Sequence, residues 1–116
     1  MSAGKRVLLV EDEAALLMLV GDALQDLGLD VTAVNNGREA LEALGDGERF
    51  DYVVSDISMP EGVSGLDIAE RALDADPRAS VILVSGLSLS QLPPLPDGAH
   101  FLPKPYRISQ LLELLG

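Results

Sequence analysis

The sequence contains no cysteine and a single histidine, His100, among its 116 residues. Without cysteine the chain can form neither disulfides nor thiolate metal sites, and a reducing compartment is the expected location. One histidine cannot build a multi-histidine metal centre within the chain. These two absences exclude a disulfide scaffold and two common classes of metal site.

Aromatic residues are also scarce, since Trp is absent and aromatics make up only 3% of the chain. The core must therefore be built from aliphatic side chains. With 47% hydrophobic residues in 116 positions, that core is large enough for one globular domain and leaves little room for a second. We expect a single domain over residues 1–116.

Basic charge and long apolar runs are the remaining deficits. Eight Lys and Arg against 19 Asp and Glu give a net charge of −11, which repels nucleic-acid phosphates. The longest apolar run, Ala14 to Val20, is far too short to span a bilayer. Lys5-Arg6 and the apolar run after it resemble the start of a secretory signal, but acids at positions 11–13 interrupt it. We expect a cytoplasmic protein that binds neither nucleic acid nor membrane.

The chain does contain a regular alternation of short apolar runs with helical patterns. The runs predicted to be buried strands are residues 5–10, 31–34, 51–55, 81–84 and 100–103. Apolar residues at helical spacing predict helices within 16–27, 40–44, 66–73 and 108–115. This alternation predicts right-handed βαβ units and an α/β fold. Five strands in so short a chain favour a flavodoxin-like three-layer sandwich, with a parallel sheet in the order 2-1-3-4-5.

Two loops interrupt this alternation in different ways. Asn36-Gly37 is expected to form the turn that ends the second strand. Residues 87–98 contain three prolines, so the fourth helix should be absent or reduced to a turn. The leucines of that segment, at positions 87, 89, 92 and 95, either close the core where the helix would lie or form a segment that binds a partner.

Three carboxylates are predicted to meet at one edge of the sheet. Asp56 ends the third strand, and Glu11 and Asp12 follow the first, which is its neighbour in the predicted order. The three carboxylates repel one another, and a hard divalent cation bound between them would relieve that repulsion. Mg²⁺ is a suitable ion, because it prefers carboxylate oxygens together with water. The alternatives are that Asp56 caps a turn and that the acids stabilise a helix N-terminus, which is our preferred interpretation of Glu13.

A hydroxyl and an ammonium are predicted at the same edge. Ser85 ends the fourth strand and Lys104 follows the fifth. Beside a magnesium-binding acid cluster they could hold the oxygens of a phosphoryl group. Separately each is ordinary, because Ser before Gly is a common turn and a surface Lys is usually solvated.

Together these residues resemble a response-regulator receiver domain of the chemotaxis-regulator type, and the resemblance covers essentially the whole chain. The matching residues are Val7-Leu-Leu-Val-Glu-Asp-Glu13, Val53-Val-Ser-Asp-Ile-Ser-Met-Pro60 with Gly65, Ser85-Gly86, and Phe101-Leu-Pro-Lys-Pro105. The resemblance implies that Asp56 accepts a phosphoryl group from a phosphohistidine of a sensor histidine kinase or phosphotransfer protein. It also implies Mg²⁺ bound by Asp12, Asp56 and the Ser58 backbone carbonyl, with Glu11 acting mostly through water.

The resemblance gives roles to the remaining motif residues as well. Ser85 and Lys104 would each contact a phosphoryl oxygen, and Phe101 would be the switch aromatic that turns inward once Ser85 moves. Lys104-Pro105 would be a cis peptide. The lifetime of the phosphoryl group would depend on Ser58 and Leu87, two positions after the acceptor and the hydroxyl. The module would be no classical enzyme, because it catalyses only its own phosphorylation and dephosphorylation.

The sequence departs from the common receiver pattern at two places. The loop after the third strand is one residue longer, at Glu61-Gly62-Val63. The stretch from Ser85 to Lys104 is several residues shorter than usual, which predicts a fourth helix that is missing or reduced to a turn. The second departure resembles an atypical single-domain group often paired with kinases of the HWE type, although Val84-Ser85-Gly86 matches its Ala-Thr-Gly signature only in part. We expect a monomer or weak dimer that signals through a downstream protein partner or drains phosphoryl groups.

Four other interpretations differ in the sequence features they require. A receiver portion of a hybrid histidine kinase would carry the same residues, and the start at Met1 favours a stand-alone protein instead. A scaffold receiver that is never phosphorylated would not need the full acid, hydroxyl and lysine set. A flavodoxin-type cofactor binder needs a phosphate loop where Glu11 and Asp12 lie. A phosphatase with an aspartate nucleophile needs a second acid where Ser58 stands.

Overall fold

Five parallel strands form one sheet in the order β2-β1-β3-β4-β5, which confirms the predicted α/β, flavodoxin-like topology. The strands are β1 (Arg6–Val10), β2 (Asp30–Val34), β3 (Tyr52–Asp56), β4 (Ser80–Ser85) and β5 (Ala99–Pro103). The helices are α1 (Ala14–Asp26), α2 (Gly37–Gly45), α3 (Gly65–Ala75) and α4 (Ile108–Leu115). This computed structural model describes residues 4–45, 49–59 and 62–115. Pro60 of the motif and Glu61 of the longer loop lie outside the described residues.

Helices cover both faces of the sheet, because each central strand is apolar on both sides. On one face, Leu9 and Ile82 pack with Leu24 of α1 and Leu111 of α4. The other face packs against α2 and α3. The hydrophobic cluster on that side includes Leu8, Val53, Leu83, Ala40 and Ile68. The strands are therefore fixed from both sides, and their carboxyl ends are held as a rigid edge. None of the helices in the described part of the chain could cross a membrane.

The Asn36-Gly37 pair begins a helix, and the prediction that it forms a turn is wrong. Asn36 Oδ1 accepts the N–H of Glu39 at 2.8 Å, while Asn36 Nδ2 donates to Glu39 Oε1 at 3.1 Å. These contacts are those of a helix N-cap, so α2 starts at Gly37 rather than near Ala40. Gly37 is also needed for space, because a Cβ there would overlap the Val63 side chain.

The segment between β4 and β5 has no α-helix, as predicted. Its one regular element is a 3₁₀ turn, Leu89–Gln91. Two of the four leucines close the core, which is one of the two predicted roles. Leu92 and Leu95 pack against the core, whereas the side chains of Leu87 and Leu89 are 42% and 55% exposed.

Candidate functional site

The three predicted carboxylates converge at the carboxyl ends of β1 and β3. These strands are direct neighbours, with Val10 opposite Ser55. One oxygen from each of Glu11, Asp12 and Asp56 lies within 4.8 Å of the others. Glu11 and Asp56 are only 4% and 5% exposed, whereas Asp12 is exposed. The sheet order therefore produces the acidic crevice that the sequence predicts.

Lys104 joins the two buried carboxylates. Its Nζ lies 2.9 Å from Asp56 Oδ1 and 3.0 Å from Glu11 Oε1. The backbone places it there, because the Lys104 N–H donates to the Ser85 carbonyl at 2.8 Å at the end of the β4–β5 pair. The Lys104-Pro105 peptide bond is cis, as the resemblance implies.

The two buried carboxylates of the site have pKa values that shift in opposite directions. Burial, reinforced by the adjacent Glu11 carboxylate, raises the pKa of Asp56 to about 8, although Lys104 opposes the shift. Burial alone would raise the pKa of Glu11 too, but hydrogen bonds with Asp56, the Glu13 N–H and Lys104 lower it overall. Burial disfavours the charged form of Lys104, yet the two carboxylates raise the pKa of its ammonium above the ordinary value. The site therefore disfavours the charged form of Asp56 and favours that of Glu11.

Ser85 and Ser58 line an open cavity over the Asp56 carboxylate. The cavity has a volume of about 380 Å³; it is lined by Asp56, Ser58, Val84, Ser85, Gly86, Leu87 and Lys104. Ser85 is buried, and its Oγ accepts the Leu87 N–H at 2.9 Å. A carboxylate, a hydroxyl and an ammonium thus surround one space that can hold a tetrahedral anion.

Gly65 has a steric role that sequence reasoning missed. A Cβ at this position would overlap the Asp56 carbonyl oxygen, so α3 approaches the end of β3 closely only because residue 65 is glycine. The Gly65 N–H donates to the Ile57 carbonyl at 2.9 Å, and Ser64 and Asp67 form a capping box at the same helix start. The sequence signal was a Ser-Gly pair before a helical pattern.

Two aromatic residues flank the site. Phe101, the predicted switch residue, is half-buried on β5 and packs against the cluster under α2 and α3. Tyr106 was not singled out from the sequence, although it directly follows the Lys104-Pro105 motif. Burial and the charges of Glu11 and Asp56 raise the pKa of its phenol to about 12. Tyr106 therefore remains neutral, and it lines a second cavity with Glu13, Leu16, Lys104 and Pro105.

The donor set fits a magnesium ion. Three carboxylates around a single ammonium leave the crevice negatively charged, and all of its side-chain ligand atoms are hard oxygens. Asp12 is exposed, which suits an ion that keeps several water ligands. Ser58 lines the cavity over the Asp56 carboxylate.

Comparison with known proteins gives one consistent family. The model of the response regulator receiver domain matches residues 7–115. The response regulator receiver protein CpdR of Brucella abortus is 34% identical over 112 residues, covering 94% of this chain and 92% of that protein. The chemotaxis protein CheY of Thermotoga maritima is 35% identical over 117 aligned positions, covering 97% and 96%.

Solved structures agree in fold. A response regulator receiver protein from Sinorhizobium medicae superposes with a TM-score of 0.87 at 34% identity, covering 95% of this chain and 90% of that one. The response regulator TrrA from Thermotoga maritima, in complex with Mg²⁺ and beryllium fluoride, gives 0.78 at 31% identity and covers 96% of both chains. TrrA in complex with the histidine kinase ThkA gives 0.79 at 31% identity, covering 97% and 99%. The chain therefore belongs to the response regulator receiver domain family.

Proposed function

We propose that Asp56 is the residue through which this receiver domain accepts a phosphoryl group from a histidine kinase or phosphotransfer protein. Family membership gives the chain a two-component phosphoacceptor role, and the proposal concerns the residues that perform it. The observation that carries it is the contact of the Asp56 carboxylate with Lys104 Nζ, 2.9 Å away, beside an open cavity that the Ser85 residue also lines.

The transfer would be a direct displacement at phosphorus. An Asp56 carboxylate oxygen forms the new O–P bond as the P–N bond to the donor imidazole breaks, and the bonding electron pair leaves with the nitrogen. Two anions must approach each other, so the charge on Asp56 and on the phosphoryl oxygens has to be compensated. Lys104 supplies one positive charge at hydrogen-bond distance from Asp56 Oδ1. The Ser85 hydroxyl is available to a second phosphoryl oxygen.

Magnesium would be held by Asp12, Asp56 and the Ser58 carbonyl, with Glu11 acting through water. When bound, the ion supplies positive charge to the phosphoryl oxygens. The chain's own part is to keep the oxygens together: Glu11 is fixed by Lys104 and by the Glu13 N–H, which donates to Glu11 Oε2 at 2.9 Å. TrrA, solved with Mg²⁺ and beryllium fluoride, supports this assignment by similarity.

The remaining parts of the proposal concern lifetime, partners and location. Leu87 and Ser58 both line the cavity, and Leu87 would limit the approach of water to the acyl phosphate. Phe101 would follow Ser85 inward as the switch aromatic. The partners would be a histidine kinase, as for TrrA with ThkA, and a downstream protein. We assign a cytoplasmic location to a domain spanning 1–116, monomeric or weakly dimeric, that catalyses only its own phosphorylation and dephosphorylation.

The test is incubation with acetyl phosphate and Mg²⁺, followed by intact-mass measurement. One phosphoryl group should appear on the wild type and on Asp74→Asn, which alters an exposed acid of α3 remote from the site. It should be absent from Asp56→Asn and from samples without Mg²⁺. Equal modification of Asp56→Asn would overturn the proposal, because the phosphoryl group would then lie on another residue. No modification of the wild type would also overturn it and would leave the scaffold interpretation standing.

A further inference from the structure

An apolar groove lies beside the open cavity over the Asp56 carboxylate, which we call the phosphoryl cavity. The groove is on the sheet face that carries α2 and α3. It has a volume of about 460 Å³, and it is lined by Ile57, Ser58, Met59, Gly62, Val63, Ser64, Leu66, Leu87, Gln91, Leu92 and Pro93. None of the lining residues in the described part of the chain is charged. Four of its apolar side chains are half-buried and anchored in the core below: Met59, Val63, Leu66 and Leu92. The floor of the groove is therefore part of the folded core.

The groove exists because the chain has only a 3₁₀ turn between β4 and β5. A doubly wound sheet normally places a helix there, packed beside α3. Here Leu92 continues from the turn in an extended conformation, with φ −105° and ψ 153°. Both Leu92 and Leu66 of α3 line the groove. An amphipathic helix is the element whose shape would complete this layer.

Charge indicates what kind of helix fits. The described lining residues all fall within positions 57–67 and 86–98, and the sequence of these two ranges contains no Lys or Arg. Asp67 lies at the rim, because its carboxylate accepts the N–H of the lining residue Ser64 at 3.1 Å. A second copy of the chain would bring another net charge of −11 and be repelled, so the complementary occupant is basic.

The groove is continuous with the phosphoryl cavity through shared walls. Ser58 and Leu87 line both spaces. The Leu87 N–H donates a hydrogen bond to Ser85 Oγ at 2.9 Å. A displacement of Ser85 toward a phosphoryl oxygen would therefore weaken or break the hydrogen bond that positions Leu87. A ligand in the groove and a phosphoryl group on Asp56 therefore act on the same side chain. Any effect of one on the other must be reciprocal.

We propose that this groove binds a basic amphipathic helix of a partner protein, and that Leu87 couples this binding to phosphorylation of Asp56. The coupling rests on the proposed function, whereas the binding surface does not. The helix inserts apolar side chains between Leu66 and Leu92 and directs its lysines or arginines to the acidic rim. Coupling makes the groove a site from which a bound partner alters phosphoryl lifetime.

The probe is a synthetic peptide of leucine and lysine, about 14 residues or roughly four helical turns long, with leucines at helical spacing. It is titrated into the ¹⁵N-labelled full chain, and the shifted amide signals are mapped. We expect shifts centred on the groove and a Kd in the range of about 10–100 µM. A peptide with glutamate in place of lysine, and a scrambled peptide, should bind at least about tenfold more weakly.

Two leucines provide a matched pair of variants. Leu87→Ser removes a groove side chain, and Leu89→Ser removes one that is more exposed and does not line the groove. Leu87→Ser should weaken binding about tenfold and Leu89→Ser should leave it unchanged. Gln91→Glu keeps the acceptor for the Ser88 N–H and adds negative charge, so it should strengthen binding.

Several results would overturn the docking proposal. Shifts centred on α1, equal binding of the glutamate peptide, or equal loss in both serine variants would each show general adsorption. Absence of binding up to about 1 mM, or sedimentation of the chain as a dimer that covers the groove, would exclude a partner helix at this surface.

The coupling is tested by repeating the titration with Mg²⁺ and beryllium fluoride. The affinity of the wild type should change by about threefold or more, and that of Asp56→Asn should not. No change in a protein that acetyl phosphate does modify on Asp56 would overturn the coupling alone. No modification of Asp56 by acetyl phosphate would overturn the proposed function, whatever the peptide does.

Discussion

The Nζ atom of Lys104 lies 2.9 Å from Oδ1 of Asp56, and the same atom lies 3.0 Å from Oε1 of Glu11. One ammonium thus serves two buried carboxylates and cannot fully compensate both. Of the two carboxylates, Asp56 is the one whose pKa is raised, to about 8. The residue proposed to react is therefore one whose charged form the fold disfavours.

Replacing Lys104 by methionine should impair both stability and phosphorylation. The variant leaves two buried carboxylates without their shared cation, which we expect to cost about 1–3 kcal/mol at pH 8, because Lys104 is partly solvated. Modification by acetyl phosphate should slow by about tenfold or more, since the ammonium no longer compensates the developing charge. Urea unfolding and mass measurement check the two effects. Lys5→Met is the control, as Lys5 contacts the Tyr52 ring far from the site; equal losses in both variants would contradict this account.

Asp56→Asn should stabilise the protein in Mg²⁺-free buffer, and increasingly so at higher pH. The native pKa of Asp56 is raised from 3.8 to about 8, so the native state binds more protons than the unfolded state between these values. The wild type therefore loses stability as pH rises from about 4 to 8, a loss that the asparagine variant does not share. We expect a gain of about 1–3 kcal/mol at pH 9 and little difference at pH 4. The free energy of unfolding is measured for both proteins from pH 4 to 9. A difference between them that stays constant over this range would contradict the raised pKa.

Asp12→Asn should weaken magnesium binding and leave the stability of the metal-free protein almost unchanged. Asp12 is exposed, so without the ion its replacement should change stability by less than about 0.5 kcal/mol. The rise in Tm that Mg²⁺ produces in the wild type should largely disappear, because one carboxylate ligand is gone. Asp22→Asn, an exposed acid on α1, is the control. Undiminished stabilisation of Asp12→Asn by Mg²⁺ would remove Asp12 from the ligand set.

Gly65→Ala and Gly86→Ala should behave very differently, although both glycines are among the residues that match the receiver family. A Cβ at residue 65 would overlap the Asp56 carbonyl oxygen, whereas one at residue 86 would meet nothing within 4 Å. We expect Gly65→Ala to cost about 2–4 kcal/mol and Gly86→Ala less than about 1 kcal/mol, measured by urea unfolding. Similar costs for the two variants would show that α3 can move away from β3.

The sequence predicted the sheet and the contents of its reactive edge because both follow from strong, local signals. Continuous apolar runs mark the buried strands, and strand order alone brings Glu11 and Asp56 together. Asn36 was misassigned because a turn and a helix cap use the same side chain, and the choice depends on Glu39 three residues later. The steric need for Gly65 and the split between Leu89 and Leu92 were not predictable, because both depend on how separate elements pack.

Chemical trapping of the acyl phosphate tests the central claim most directly. The protein is phosphorylated with phosphoramidate and Mg²⁺, reduced with borohydride, which converts an aspartyl phosphate to homoserine, and mapped by peptide mass spectrometry. The account predicts homoserine at position 56, at no other aspartate, and only when Mg²⁺ is present. Homoserine at Asp12 or elsewhere, or a phosphoryl group retained on a residue other than Asp56, would contradict it.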